Sequence, residues 1–303
     1  MSPRKSKLAA IEAVVCRNVG RKTQSLIDAS RGELAQAAEA LSGAHGVGLI
    51  TGFYVPRGDN PAAETDGPVG AALLAAALSA CGVTARIAVD TPCEAAVRAA
   101  VAAAGGGIAV DIVPLDDRAA IARVAECWQA AGMTHAVAIE RCGRSPDGRP
   151  RNMRGADVSA WTAPLDDLFM AHSWKRIGVG DGGNEIGMGR LPAELIARTV
   201  PNGERIACTT GCDHLVVAGV SNWGAYGLIA ALAVLRPDWA PTLERFLTAE
   251  LEGAVTRATV EQGGAIDGVT ARREASVDGF GPEIHAAVVE DLRRIAWSEP
   301  AAL

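Results

Sequence analysis

Short apolar runs alternate with alanine-rich stretches from residue 47 to residue 235, and this alternation limits the fold more than any other property of the chain. Strands are expected at 47–55, 85–90, 108–113, 135–140, 176–180 and 214–220. Helices are expected at 68–81, 92–104, 117–131 and 223–235, with Pro68 suited to the first turn of its helix. The strands are nearly continuous apolar runs, the pattern of a parallel sheet covered on both faces. The expectation is therefore an α/β fold in three layers, a mostly parallel sheet with helices on both faces and right-handed crossovers. Aromatic residues make up 4% of the chain and alanine fills much of its apolar fraction, which favours close-packed helices over a β-sandwich. Further helices are expected near 7–15 and 31–41, and at 241–262 and 282–297. No stretch rich in Pro, Gly or Ser divides the chain. Residues 1–303 read as one domain, with the helices of about 1–45 and 240–303 wrapping the sheet or capping it.

Several classes of partner are disfavoured. The formal net charge is −6 with no long basic block, so nucleic acid is not expected. No apolar run reaches the ~20 residues of a membrane span. The N-terminal residues lack the apolar core of a signal peptide, and a cytoplasmic protein is expected. The seven cysteines have no framework spacing and read as reduced thiols. Cys208 and Cys212 are spaced more widely than a two-residue zinc knuckle. A homo-oligomer is left open.

In open α/β sheets, ligands bind beyond the carboxyl ends of the strands. Four polar clusters fall at such places. They are 56–68, which holds Glu64, Asp66 and Gly67; 140–144, which holds Arg141 and Arg144; 181–185; and 221–224, which holds Ser221 and Asn222. The third belongs to a run from Gly178 to Gly189 in which six of twelve residues are glycine and the only charges are Asp181 and Glu185. Glycine costs about 0.5–1 kcal/mol per site in a regular element, so such a run points to a backbone that approaches something closely. Two carboxylates flanking Asn184 suit a metal ion, an amine or a hydroxyl. The run is neither a dinucleotide fingerprint nor a P-loop, so no nicotinamide or flavin is expected. Thr65 or Asp66 can cap the helix at 68–81, and Ser221 or Asn222 the helix at 223–235. Arg141 and Arg144 can pair with a carboxylate through two hydrogen bonds. His214 and His285 read as structural, and no nucleophile elbow surrounds Ser221. Trp161 and Trp174 fit a lid, an interface or the core.

The chain resembles the D-glutamate cyclase-like C-terminal domain family. The likeness rests on Thr51-Gly52-Phe53 with Glu64-Thr65-Asp66-Gly67-Pro68, Ile139-Glu140-Arg141, Asn152-Met153-Arg154-Gly155, the segment 162–169, the run 178–189, Cys212-Asp213 and Val220-Ser221-Asn222-Trp223-Gly224, with Asp278-Gly279 extending it. The resemblance implies a lyase acting on a small amino acid or carboxylate, with D-glutamate converted to 5-oxo-D-proline and water. The mitochondrial family member carries an additional N-terminal domain that is itself a candidate for the catalytic part. Lactam formation requires a base for the ammonium proton and an acid or metal for the departing oxygen. Glu64, Asp66, Asp181 and Glu185 are the candidates for proton transfer. Asp66, Asp181 and Glu185 are the candidate ligands for a Mg²⁺ or Mn²⁺ ion. Arg141 is the candidate for the α-carboxylate. Gly67, Gly182, Gly183, Asn184, Ser221 and Asn222 are candidates for binding substrate, with amides near Gly67 and Asn222 facing a developing oxyanion. Two other readings stay open: a carboxylate- or nucleotide-binding module without catalysis, and a metal-dependent hydrolase or transferase of phosphate esters.

Overall fold

The computed structural model describes residues 2–57 and 61–298, so residues 58–60 of the polar cluster at 56–68 lie outside the described residues. The strands are β1 Gly46–Thr51, β2 Tyr54–Val55, β3 Ala62–Ala63, β4 Thr84–Asp90, β5 Ala109–Val113, β6 His135–Ile139, β7 Lys175–Gly180 and β8 His214–Val217. Among the described residues, six of them form one sheet in the order β5-β4-β1-β6-β7-β8. Every neighbouring pair is parallel. Counted along the sheet's own strands this is the doubly wound order 3-2-1-4-5-6, which reverses its direction of growth between β1 and β6.

Alternate residues of each strand feed opposite faces. Val47 and Leu49 of β1 and Val137 and Ile139 of β6 join one core, while Ile50, Ala136 and Ala138 join the other. The first core holds helices Pro68–Ala80 and Ser221–Leu235, buried along almost their whole lengths. They pack closely because their facing residues are small: a Cβ on Gly70 would lie 2.9 Å from the Cβ of Ala225. Helices Pro3–Val15, Glu33–Ser42 and Pro282–Ala296 pack onto Ser221–Leu235. The opposite core centres on Trp128 of helix Arg118–Ala130, whose ring lies over Gly48, so any side chain there would collide with the indole. Helices on both faces of a parallel sheet make the three layers read from the sequence.

Three boundaries differ from expectation. The strand expected at 47–55 stops at Thr51, because Gly52 turns into the left-handed region (φ 100°) and Tyr54–Val55 pairs antiparallel with Ala62–Ala63. The strand expected at 214–220 ends at Val217. The helix expected at 241–262 is broken. Residues Ala240–Leu243 and a 3₁₀ turn at Glu244–Phe246 precede a new helix, Ala249–Glu261, whose first turn is capped by Thr248 Oγ1 accepting the Leu251 amide at 3.1 Å. Among the described residues, no helix is long and apolar enough to cross a membrane.

Candidate active site

The loops after β1, β6, β7 and β8 converge at the carboxyl ends of the strands, around the point where the sheet order reverses. Two helix N-termini meet there and cap each other. Asp66 Oδ2 accepts the Ser221 amide at 2.9 Å, and its Oδ1 accepts the Asn222 amide at 2.8 Å and that of Gly67 at 3.1 Å. In return, Asn222 Oδ1 accepts the amides of Gly67 (2.9 Å) and Gly70 (2.8 Å), and its Nδ2 donates to the Thr65 carbonyl. Asp66 therefore does not cap the helix that follows it in sequence. The amides of Gly67 and Asn222, expected to face an oxyanion, are already taken.

The glycine-rich run closes on itself. Asp181 and Gly182 donate their amides to Glu185 Oε1 at 3.1 and 2.6 Å, and Gly183 donates to Oε2 at 2.7 Å. Gly183 can do this because it adopts φ 104°. The run then folds back on its own strand, so that a Cβ on Gly178 would lie 2.9 Å from the Cα of Gly187. The close approach expected of these glycines is thus made within the protein, to the run's own backbone and Glu185 and, at Gly189, to the backbone of Thr209. Asn184 ties the loop outward, with Nδ2 donating to the Arg151 carbonyl at 2.8 Å.

Glu140, the residue after β6, completes the group. It adopts φ 43°, uncommon for a residue with a side chain, and its Oε2 accepts the Ser221 hydroxyl at 2.5 Å. One carboxylate oxygen from each of Asp66, Glu140 and Asp181 lies within 4.8 Å of the others. Two like charges at that separation repel by about 3 kcal/mol at an effective dielectric near 20. Burial, and secondarily the neighbouring carboxylates, hold Glu64, Asp66 and Glu140 well above the ordinary carboxylate range. Burial also raises Asp181, although Arg21 opposes the shift. Arg21 bridges Asp181 (2.6 Å) and Asp278 (2.7 Å), joining the N-terminal segment, the glycine-rich run and the C-terminal segment. An all-oxygen donor set of buried carboxyls held above their usual range suits a hard cation or an ammonium group.

A cavity of about 530 Å³ opens onto this group. Glu64, Glu140, Asp181, Gly182, Asn184 and Glu185 line it, as do Arg21 and Asp278. Asp66, Gly67, Gly183, Ser221 and Asn222 stand outside its lining and hold the lining residues in place. The three carboxylates with a common focus are Asp66, Glu140 and Asp181, so Glu140 takes the place expected of Glu185.

Arg141 is a correction to the sequence reading. Its guanidinium is fully buried away from the cavity, paired with Asp90 at 2.6 Å and donating to the carbonyls of Gly52 and Ala163. It ties together loops after three strands and has no path to a substrate carboxylate. Arg144 pairs with Asp167 at 2.5 Å beside a separate cavity of about 210 Å³. His285 accepts the Trp223 indole N–H at 2.9 Å, a structural use. Trp174 is core, while Trp161 stacks on Tyr54 at 6.3 Å between ring centres. The seven cysteines are free thiols.

Sequence reasoning passed over Glu140, Arg21 and Asp278. Glu140 had a usable signal, as an acidic residue ending an apolar strand next to other polar strand ends. Asp278 stood only in the family likeness with no role attached, and Arg21 had no signal, since only the fold brings the two to the loops they clamp.

The family model for D-glutamate cyclase-like C-terminal regions matches residues 11–293. The chain is 38% identical over 218 residues to "D-glutamate cyclase, mitochondrial" of Homo sapiens, a match covering 67% of this chain and 35% of the human protein. The chain therefore spans about a third of the length of that curated relative. By the extent of the family match, the chain belongs to the D-glutamate cyclase-like C-terminal family.

Proposed function

We propose that the chain is a lactam-forming lyase that takes D-glutamate, or a closely related amino dicarboxylate, to 5-oxo-D-proline and water. The observation that carries this reading is the group of buried carboxyls held above their ordinary range around Arg21, at the inner end of a cavity large enough for the substrate. Closing the ring requires the amine to lose a proton and the γ-carboxyl to lose oxygen. Asp181, in contact with a guanidinium, is the carboxylate that accepts the ammonium proton. Among the described residues the Glu140 carboxyl has the Ser221 hydroxyl as its one hydrogen-bond partner, burial raises it above the ordinary carboxylate range, and it donates to the departing oxygen. Ser221 orients that carboxyl and is not a nucleophile.

In a metal-loaded form Asp66, Glu140 and Asp181 would instead be deprotonated ligands of a Mg²⁺ or Mn²⁺ ion, which would polarise the γ-carboxyl in place of proton donation by Glu140. The name of the human relative and the family match support the substrate class. The phosphate-ester reading has less support, because the amides that would hold a phosphate at Gly67, Asn222 and 181–183 already have carboxylate or amide oxygens as partners.

The test is to incubate the purified chain with D- and L-glutamate, with and without Mg²⁺ or Mn²⁺, and to measure 5-oxoproline. Turnover of D-glutamate that falls at least about 100-fold in both Asp181→Asn and Glu140→Gln supports the reading, in keeping with what one proton-transfer group contributes. No product from the wild-type chain under any of these conditions sinks it.

A further inference from the structure

An amino dicarboxylate held by its amine and γ-carboxyl at the inner carboxyls still has an α-carboxylate to place. Three cations near the site are already committed. Arg141 is buried on Asp90, Arg144 lies at the other cavity, and Arg21 uses its two terminal nitrogens on Asp181 and Asp278. The cations left in the lining of the 530 Å³ cavity are Lys22, Arg57 and Arg154. Among the described residues, none of these three pairs with a carboxylate. The chain's formal net charge is −6, so a wall holding three such cations departs from the charge of the molecule as a whole.

Arg57 differs from the other two. Lys22 and Arg154 are exposed, where a lone ion pair contributes little. Arg57 is half-buried, and its Nη2 donates to the carbonyls of Gly268 and Val269 at 2.7 and 2.6 Å. Those bonds hold the guanidinium in place and leave Nε and Nη1 without partners among the described residues. A guanidinium fixed in advance loses less side-chain freedom when it meets a carboxylate.

Gly268 sets how far this cation stands from the inner group. Its backbone packs directly on the Glu64 carboxyl, so that a Cβ there would collide with Glu64 Oε2. The carbonyl of the same glycine accepts from Arg57. One residue without a side chain is thus all that separates the innermost acceptors from the guanidinium. An α-amino acid needs such a spacing, because a single carbon joins its nitrogen to its carboxylate. The ammonium donates to the inner oxygens, which accept hydrogen bonds whether or not they carry a proton.

We infer that Arg57 receives the α-carboxylate of the substrate and makes that carboxylate a requirement. The site then takes free amino dicarboxylates and rejects a glutamate whose α-carboxyl is tied up in an amide, as at the N-terminus of a peptide. An α-amide gives Arg57 a neutral acceptor in place of a charged one, and hydrogen bonds between ionised groups are roughly twice as strong. Lys22 and Arg154 draw the anion to the mouth. This inference rests on the lactam-forming reading above and names the residue that sets its substrate class.

The experiment measures kcat and KM for free glutamate and for glutamate α-amide, each in D and L forms, with wild type, Arg57→Gln and Arg57→Lys. The products are 5-oxoproline and 5-oxoprolinamide, and calorimetry follows D-glutamate binding to the same proteins. Wild type should prefer the free acid by at least about ten-fold in kcat/KM. Arg57→Gln should raise KM for the free acid by about that factor with little change in kcat, and leave KM for the α-amide unchanged, so that the preference disappears. Arg57→Lys should restore part of it. Wild type turning over the α-amide as well as the acid overturns the inference, whether or not the variants fold. Arg57→Gln slowing both compounds equally also overturns it, since that marks a displaced 268–269 segment. Either result leaves the lactam-forming reading standing. No cyclised product from either compound removes that reading. In that case, D-glutamate binding at least about ten-fold weaker in Arg57→Gln than in wild type upholds the carboxylate assignment by itself, and equal binding or none overturns both.

Discussion

Asp66 and Asn222 lie 156 residues apart, yet each caps the helix that begins beside the other. The arrangement locks the N-termini of helices Pro68–Ala80 and Ser221–Leu235 together at the sheet's point of reversal. It also fixes the Asp66 carboxylate, one oxygen of which lies within 4.8 Å of a carboxylate oxygen of both Glu140 and Asp181. A helix cap here does two jobs, satisfying amides and aiming a carboxylate.

Asn222→Ala should therefore cost more than an exposed cap. Removing a capping side chain typically costs about 1 kcal/mol, and up to about 2. Here two buried amides lose their acceptor, and about 2–4 kcal/mol is expected. Urea unfolding followed by circular dichroism measures it; a change under 1 kcal/mol would mean that the amides find other partners.

Replacing Glu185 by Gln should loosen the glycine-rich run without unfolding the sheet. A carboxylate accepting three amides becomes an amide whose nitrogen cannot accept. Hydrogen exchange at 181–183 should accelerate at least ten-fold while exchange in β6 and β7 stays unchanged. Equal protection in both proteins would show that the run holds its shape without this anion.

The raised carboxyls make stability depend on pH in a definite direction. Glu64, Asp66, Glu140 and Asp181 have folded values above their unfolded ones. Their contribution is fully present below the unfolded carboxylate values, near pH 4, and is lost as pH rises through the folded values. Glu140→Gln removes one such group, so it should raise Tm at pH 8 and change it little at pH 4. Mn²⁺ or Mg²⁺ should raise the wild-type Tm at pH 8 more than at pH 5, because a cation bound only by the folded state stabilises it. Thermal melts across pH, with and without metal, check both statements; a Glu140→Gln protein less stable than wild type at pH 8 contradicts the first.

Arg21 opposes the upward shift of Asp181. In Arg21→Gln the Asp181 value should rise further, and the acid limb of the kcat/KM profile should move to higher pH. Arg21→Lys keeps the charge and should restore much of the profile. An unmoved acid limb in Arg21→Gln would remove Asp181 as the titrating base.

Arg141→Ala should unfold or strongly destabilise the chain, by about 3–5 kcal/mol, because Asp90 is then a buried charge without its cation. Any activity that survives, measured on the folded fraction, should keep its KM, which separates this residue from substrate binding.

The layered fold was legible because strands buried on both faces leave continuous apolar runs, and because alanine-rich helices can lie close to them. The rule that ligands sit beyond the strands' carboxyl ends located the site, bringing Glu64, Asp66, Asp181 and Asn184 together. What escaped depends on pairings across the chain. Nothing local distinguishes Asp66 as the cap of the next residue's helix from Asp66 as the cap of a helix 156 residues away. Arg141, one residue past a strand, had the appearance of a ligand group; the buried Asp90 that claims it ends a different strand. The order 3-2-1-4-5-6 was equally hidden, since alternation fixes which elements exist and not which strands are neighbours.

The amides held by Glu185 carry one more consequence. Successive backbone N–H groups pointing into a concavity form a nest for anions, and in doubly wound sheets such concavities commonly cradle phosphates. In this chain the nest arrives already filled by its own glutamate, and the two helix N-termini nearby are filled by Asp66 and Asn222. The polarity of the strand-end crevice is thereby inverted. Where a nucleotide-binding relative of this topology presents donors to a phosphate, this one presents acceptors to a cation or an amine.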